Sequence, residues 1–321
     1  MALPARSPNI LRRALLYVPS SSEKMLSKSL SLTSDNITYD LEDSVTPSRK
    51  EPARAALRSF LSTRPPPPRG TELAVRINAV STPHALADLT ALASLPSLDA
   101  ICVPKVDSAA DLTFVTDVLR HIAPERHGPD ATSPIRIIAL IESAQAIMDL
   151  REICAASPYL SGLVFAAEDF AKDLSLTRSP SLSEFLYARS AIVTAARAAR
   201  LPSAIDLVCT SFRGPEGLDR LREEALGGKA LGFNGKQCIH PSQVEPVQRY
   251  FAPSEKELEW AVRVVIADDK ASAAGRGAWT LDGSMIDAPV VAKARATVEK
   301  AERCGLDVAG VQEAWRGQEP E

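Results

Sequence analysis

Ile135–Ser143 reads IRIIALIES and Ser161–Phe170 reads SGLVFAAEDF. Each is a short apolar run, rich in Ile, Leu and Val, that ends in acid: Glu142 after the first, Glu168 and Asp169 after the second. A helical segment separates them. Runs of this length joined by a helix predict neighbouring parallel strands of a βαβ unit. Such strands are covered on both faces, so they are apolar almost throughout. The acids then stand at the carboxyl ends of adjacent strands, where α/β folds place their chemistry. Carboxylates sharing one crevice repel each other. A divalent cation relieves that repulsion, and an all-oxygen donor set favours Mg²⁺.

Similar runs recur on either side: ALLYVP (Ala14–Pro19), ITYDL (Ile37–Leu41), LAVRIN (Leu73–Asn78), AICVPKV (Ala100–Val106), SAIDLV (Ser203–Val208) and ALGFNGKQCI (Ala230–Ile239). Helical patterns over Ser22–Leu32, Ala109–His121 and Leu182–Arg200 alternate with them. Eight β–α units in this order predict a TIM (β/α)8 barrel. Gly232 and Gly235 thin the eighth strand. RPPPPRG (Arg64–Gly70) reads as a stiff surface connector. The pattern changes after His240–Pro241, so we place the barrel in residues 1–245 and a C-terminal helical extension, a lid or arm, in 246–321. A helix is expected from Pro253–Ser254 to about Asp268 and another over Val290–Arg303, with the glycine-bearing GRGAWTLDGSMIDAP between them.

With 321 residues, 45% of them hydrophobic, the chain is long enough for a barrel-sized core. A net charge of −3 leaves no footprint for nucleic acid or an acidic membrane. No apolar run approaches the roughly 20 residues that span a bilayer. The five cysteines are scattered and form no CxxC pair, which argues against a disulfide framework or a zinc site and fits a reducing compartment. The stretch ahead of the first strand carries Arg6, Arg12 and Arg13 but is short for a transit peptide, and the terminal QEPE is no peroxisomal address. A cytoplasmic or mitochondrial location is the expectation.

Polar groups follow all eight apolar runs: Tyr17; Asp40, Glu42 and Asp43; Arg76 and Asn78; Lys105 and Asp107; Glu142; Glu168 and Asp169; Asp206; Lys236, Gln237 and His240. Convergence of this kind is what the active face of a barrel requires. Arg76 lies inside a strand, where a guanidinium is costly unless it meets an anion. That anion is either a substrate carboxylate or Asp40 or Glu42 of the next strand. Ser20 with Glu23 fits a capping box. Lys24 and Lys28, four apart, share one helical face, which suits either a phosphate-bearing ligand or plain solvent. His121 and His127 read as surface, and His240 as the start of a turn. No dinucleotide or P-loop glycine motif is present.

Taken together, RRALLYVPSSSEKM, YDLEDSVTPSRKEPAR, VRIN, VPKVDS, ALIESAQAI, FAAEDFAKDL, GKQCIHPSQ and GSMIDAP resemble the citrate lyase β-subunit-like family of the HpcH/HpaI aldolase superfamily, from about Arg12 to Ala301. AIDLVCTSFRGPEGL and the GSMID tail are most similar to its stand-alone branch, which acts on citramalyl-CoA. The resemblance implies a Mg²⁺-dependent carbon–carbon lyase that splits a 3-hydroxyacyl-CoA thioester into acetyl-CoA and a 2-oxo acid, pyruvate for citramalyl-CoA. It also implies a homotrimer or dimer of trimers. Carried over by motif, Glu142 and Asp169 are the metal ligands and Arg76 grips the substrate carboxylate. Tyr17, Lys24 and Lys28 contact the CoA ester, Gln237 and Cys238 line the substrate, and Asp287 is the catalytic acid, delivered from a neighbouring subunit. The chain departs from the family pattern at Ser20, at Asp107 and in TSFRG, which bears on the acyl group. Alternatives are a malyl-CoA lyase or thioesterase, a lyase subunit acting on an acyl-carrier protein, and a non-catalytic CoA-binding protein.

Overall fold

The eight apolar runs form strands β1 (Ala14–Pro19), β2 (Asn36–Asp40), β3 (Glu72–Arg76), β4 (Ala100–Val103), β5 (Arg136–Ile141), β6 (Leu160–Phe165), β7 (Ser203–Asp206) and β8 (Gly235–Cys238). The computed structural model describes residues 10–68, 70–128 and 131–321; Arg6, and Arg69 of the proline-rich connector, lie outside them. Every neighbouring pair is parallel, and β1 pairs with both β2 and β8, so the sheet closes into the expected TIM barrel. Leu15, Ala74, Ala100, Cys102, Ile138, Leu140, Val164 and Ile205 meet inside it. The alternate residues Leu16, Ile37, Leu73, Val75 and Ile101 are equally buried, facing the helices. Each such side chain contributes about 1.5–3 kcal/mol when fully buried.

The helices are α1 (Glu23–Ser29), α2 (Lys50–Thr63), α3 (His84–Leu92), α4 (Ala109–Ile122), α5 (Pro124–His127), α6 (Ala144–Met148), α7 (Leu150–Ala155), α8 (Ala167–Asp173), α9 (Leu186–Ala198), α10 (Gly214–Leu231), α11 (Val244–Phe251), α12 (Glu255–Ala273), α13 (Ala288–Arg303) and α14 (Val308–Trp315). Two local expectations are corrected. Ser22, not Ser20, caps α1, accepting a hydrogen bond from the Met25 amide at 3.3 Å; Ser20 is buried two residues earlier. Ala230 and Leu231 belong to α10, and the eighth strand begins only at Gly235. Both glycines have a steric cause. Gly232 ends α10 with φ 101°, in the left-handed region. A Cβ on Gly235 would lie 1.9 Å from the Arg12 carbonyl oxygen.

That approach places Arg12 at the amino-terminal end of the barrel. Its guanidinium donates to both oxygens of Glu72, at 2.6 and 2.8 Å, and to the Ser161 carbonyl at 3.0 Å. Removing one partner of a buried pair of this kind costs about 3–5 kcal/mol. Arg12 therefore holds the barrel end together.

His127 is not a surface residue. It is buried, its ring packs 4.4 Å from that of Tyr159, and neither ring nitrogen has a hydrogen-bond partner among the described residues. Burial, with Arg126 and Arg120 nearby, pushes its pKa down to about 4. The unfolded chain binds this proton near pH 6.5 and the native protein does not. Stability is therefore full above about 6.5 and falls as pH drops toward 4. His127→Phe keeps the ring contact and removes the titration. Urea melts should show the acid-side loss reduced by on the order of 2 kcal/mol, the full effect being discounted for solvent screening.

Residues up to Gln248 form one compact unit and Arg249–Glu321 a second. In the second, Ser254 and Glu257 form a reciprocal capping box at the start of α12. Strands β9 (Trp279–Leu281) and β10 (Ser284–Ile286) make an antiparallel hairpin where the sequence suggested only a glycine-bearing stretch. Asp282 and Gly283 turn it with φ 49° and 75°. Trp279, Leu281, Ile286, Val291 and Ala294 pack on Ala261, Val264 and Ala267 of α12. No helix among the described residues is long and apolar enough to cross a membrane.

Candidate active site

Arg76 ends β3 directly beside Asp40 of β2 in the sheet register. Its Nε and Nη2 each donate to the Asp40 carboxylate at 2.7 Å. Nη1 lies 3.2 Å from Glu42 and 3.5 Å from Asp43, and the guanidinium covers the Tyr17 ring at 4.7 Å. Of the two partners open to it in sequence, the acids at and just after the end of β2 are present. Burial pushes the Asp40 carboxyl up, and Arg76 with the Glu42 and Ser44 amides more than reverses this, so Asp40 sits below the usual carboxylate range. Tyr17 donates to Gln237 Oε1 at 3.0 Å, while the Gln237 amide nitrogen donates to the Phe165 and Asp206 carbonyls at 2.9 and 3.2 Å. Burial raises the Tyr17 pKa, keeping it a neutral phenol. These groups border a cavity of about 400 Å³ whose wall also includes Pro19, Ala166 and Asp169.

Glu142 follows β5, and Asp169 lies in the first turn of α8, just after β6. Between them stands a residue that the strand ends announced but whose role they left open. Lys105 has φ 49°, a left-handed backbone rarely adopted by lysine. Its amide donates to Glu142 Oε1 at 3.1 Å. Its Nζ lies 2.7 Å from Glu42, 3.7 Å from Glu142 Oε2 and 4.0 Å from Asp169. Glu142 Oε2 is buried with no hydrogen-bond partner among the described residues. Burial pushes the Glu142 pKa up to about 7, against the pull of Lys105. Two carboxylates that share one cationic position, one with an oxygen left open, fit a Mg²⁺ ion that takes its remaining ligands from water and substrate. Among the described residues no group of three or more His, Cys, Asp or Glu converges for a metal.

The acids of AAEDF separate. Glu168 pairs with Arg178, which also reaches Glu224 at 2.9 Å, leaving Asp169 to approach Lys105. Asp107, the shorter acid of PKVD, accepts from the Ser143 hydroxyl at 2.5 Å.

Not every strand-end group joins the site. Asp206 forms a buried ion pair with Arg189 at 2.6 and 3.0 Å. Lys236 is fully buried, donating to the Leu207 carbonyl at 2.9 Å and to Glu224 at 3.1 Å. Side chains alternate along a strand, so Gln237 enters the barrel while Lys236 and Cys238 turn toward the helices. Cys238 is therefore no part of the cavity wall, and burial raises its thiol to about 12. Lys24 and Lys28 are exposed on α1, outside the cavity wall. His240 opens a turn as expected, its Nδ1 2.7 Å from the Ser242 hydroxyl and its ring stacked on Phe212. Asp287 lies in the second unit and caps α13, accepting from the Val290 amide at 3.2 Å.

A closed parallel barrel with acids gathered at its carboxyl-terminal mouth defines an α/β-barrel enzyme. Residues 13–241 match the profile of the HpcH/HpaI aldolase/citrate lyase family, and the chain belongs to that family. It is an enzyme of the aldolase and lyase class. The chain is 37% identical to the citrate lyase subunit beta of Haemophilus influenzae, over 91% of this chain and 97% of that protein. It is 36% identical to the mitochondrial citramalyl-CoA lyase of Homo sapiens, over 91% of this chain and 86% of that protein. The crystal structure of CitE from Mycobacterium tuberculosis with magnesium, acetoacetate and coenzyme A superposes with a TM-score of 0.72 at 31% identity, covering 92% of this chain and 99% of that one.

Proposed function

We propose that this protein is a Mg²⁺-dependent lyase that cleaves citramalyl-CoA into acetyl-CoA and pyruvate. The observation that carries the reading is the convergence of Glu142 and Asp169 on one cationic position, beside the Arg76–Asp40 pair. The human relative that bears this activity in its name, and the CitE complex with magnesium and coenzyme A, support it. Glu142 and Asp169 would hold the ion. When bound, the ion supplies Lewis-acid polarisation at the hydroxyl-bearing carbon. Arg76, clamped by Asp40, orients the substrate carboxylate, and Tyr17 borders the thioester. The bond between the methylene and the hydroxyl-bearing carbon breaks, and its electron pair passes into the thioester as an enolate. The O–H electron pair becomes the carbonyl of pyruvate as the hydroxyl proton passes to water. The protonated Asp287 of a neighbouring copy gives one proton to the methylene carbon and regains one from water, so cleavage is proton-neutral.

Purified protein with Mg²⁺ and citramalyl-CoA should release pyruvate and acetyl-CoA in equal amounts, and chelation should stop it. Malyl-CoA and a citryl thioester on an acyl-carrier protein belong in the same assay. Faster turnover of either would move the assignment to a malyl-CoA lyase or to a citrate lyase subunit. Pyruvate-free release of CoA would indicate a thioesterase.

Lys24 and Lys28 lie one turn apart on α1, exposed. We assign them to the remote CoA handle, where an ammonium meets phosphate in solvent. Lys24→Ala and Lys28→Ala should then raise KM several-fold each and leave kcat nearly unchanged, the mark of an interaction equal in ground and transition states. A steep fall in kcat at constant KM would remove them from the handle.

A further inference from the structure

The position between the acids already holds a positive charge, and it belongs to the chain itself. Among the described residues, Lys105 Nζ is within hydrogen-bond reach of Glu42 alone, at 2.7 Å. Glu142 at 3.7 Å and Asp169 at 4.0 Å are charge contacts beyond that reach. Glu42 is anchored from its other side, Oε2 lying 3.2 Å from Arg76 Nη1. The left-handed backbone at Lys105 aims its amide at Glu142 Oε1, so one residue supports that carboxylate twice: by a 3.1 Å hydrogen bond from the main chain and by loose charge from the side chain. Meanwhile Glu142 Oε2 receives no donor from the described residues. The ammonium balances the acids without filling the lone pairs that a metal ion needs.

We propose that Lys105 is the resident counter-cation of the metal site. It keeps Glu42, Glu142 and Asp169 together in the metal-free protein. As Mg²⁺ enters, it releases Glu142 and Asp169 and stays on Glu42. The inference rests on the reading of Glu142 and Asp169 as metal ligands. Lys105 then sets the affinity for the ion, because a unit positive charge within about 4 Å of both ligands opposes a divalent cation there. It acts as a positioning residue.

The test is calorimetric titration of the full-length protein with Mg²⁺ alone, in native form and as Lys105→Met. Native protein that binds no Mg²⁺ removes the metal reading itself and this inference with it. If the native protein binds, Lys105→Met should bind roughly tenfold or more tightly. Its metal-free form should melt at lower temperature, and Mg²⁺ should raise that midpoint further than in the native protein. Equal or weaker binding by folded Lys105→Met overturns the inference while leaving the metal site standing. A second measurement needs no variant. Amine labelling of the native protein, mapped by peptide mass spectrometry, should find Lys105 more reactive with Mg²⁺ than without, since its ammonium is then no longer held against Glu142 and Asp169. Unchanged labelling in protein shown to bind Mg²⁺ also overturns it.

Discussion

Replacing Glu142 or Asp169 with alanine should lower Mg²⁺-dependent turnover by roughly 10³-fold or more, the several kcal/mol that a Lewis-acid site contributes. The barrel should stay folded. Glu142 is buried with one oxygen unpartnered among the described residues and its pKa lifted to about 7, so its removal relieves a cost. The sign follows from linkage. The native carboxyl holds its proton above the ordinary value of 4.5, so in the metal-free protein stability falls as pH rises from about 4.5 to 7. Glu142→Ala should flatten that slope. The same proton competes with the ion. Native Mg²⁺ affinity should therefore climb between pH 6 and 8, and binding near pH 6 should release a proton, visible by calorimetry in buffers of different ionisation enthalpy. Native activity that survives chelation would end this account, as would Mg²⁺ binding of undiminished strength in both variants.

Asp287→Asn should cut kcat by on the order of 10²–10⁴-fold, the usual contribution of general acid–base catalysis. The substitution is chosen for the residue's local duty. Asp287 caps α13 through the Val290 amide, and asparagine caps a helix about as well, so the second unit should melt unchanged. Lost activity would then be lost chemistry. Exchange of the acetyl-CoA methyl protons with solvent should fall in parallel, while Mg²⁺ affinity holds. On the trimeric reading, with Asp287 supplied by a neighbouring copy, mixing inactive Asp287→Asn chains with inactive Glu142→Ala chains should restore part of the activity. Some sites then draw both native residues from different chains. No rescue in verified mixed oligomers would place the site within one chain. Full activity in Asp287→Asn would leave the residue only its cap.

Eight strands, their order and the acids after β5 and β6 were legible in the chain, because strand formation and apolar patterning are local properties of successive side chains. The motifs carried the family for the same reason: ALIES, AAEDF and VRIN are contiguous. The ends of elements were less legible. The eighth strand looked longer than it is, since its start is set by the Arg12 carbonyl against Gly235, more than two hundred residues away in sequence. Charge pairing was decided by closure of the barrel. Both Glu168 and Asp169 line the cavity, and which of them approaches Lys105 depends on Arg178, itself held by Glu224 of α10. Asp206 and Lys236 looked like site residues until strand alternation turned them toward Arg189 and Glu224. Lys105 finds Glu42 across 63 residues, with Glu142 and Asp169 beyond hydrogen-bond reach of its ammonium. Its left-handed backbone leaves no mark in composition or periodicity. A charge is worth little until its partner and its distance from water are known, and both are properties of the closed barrel.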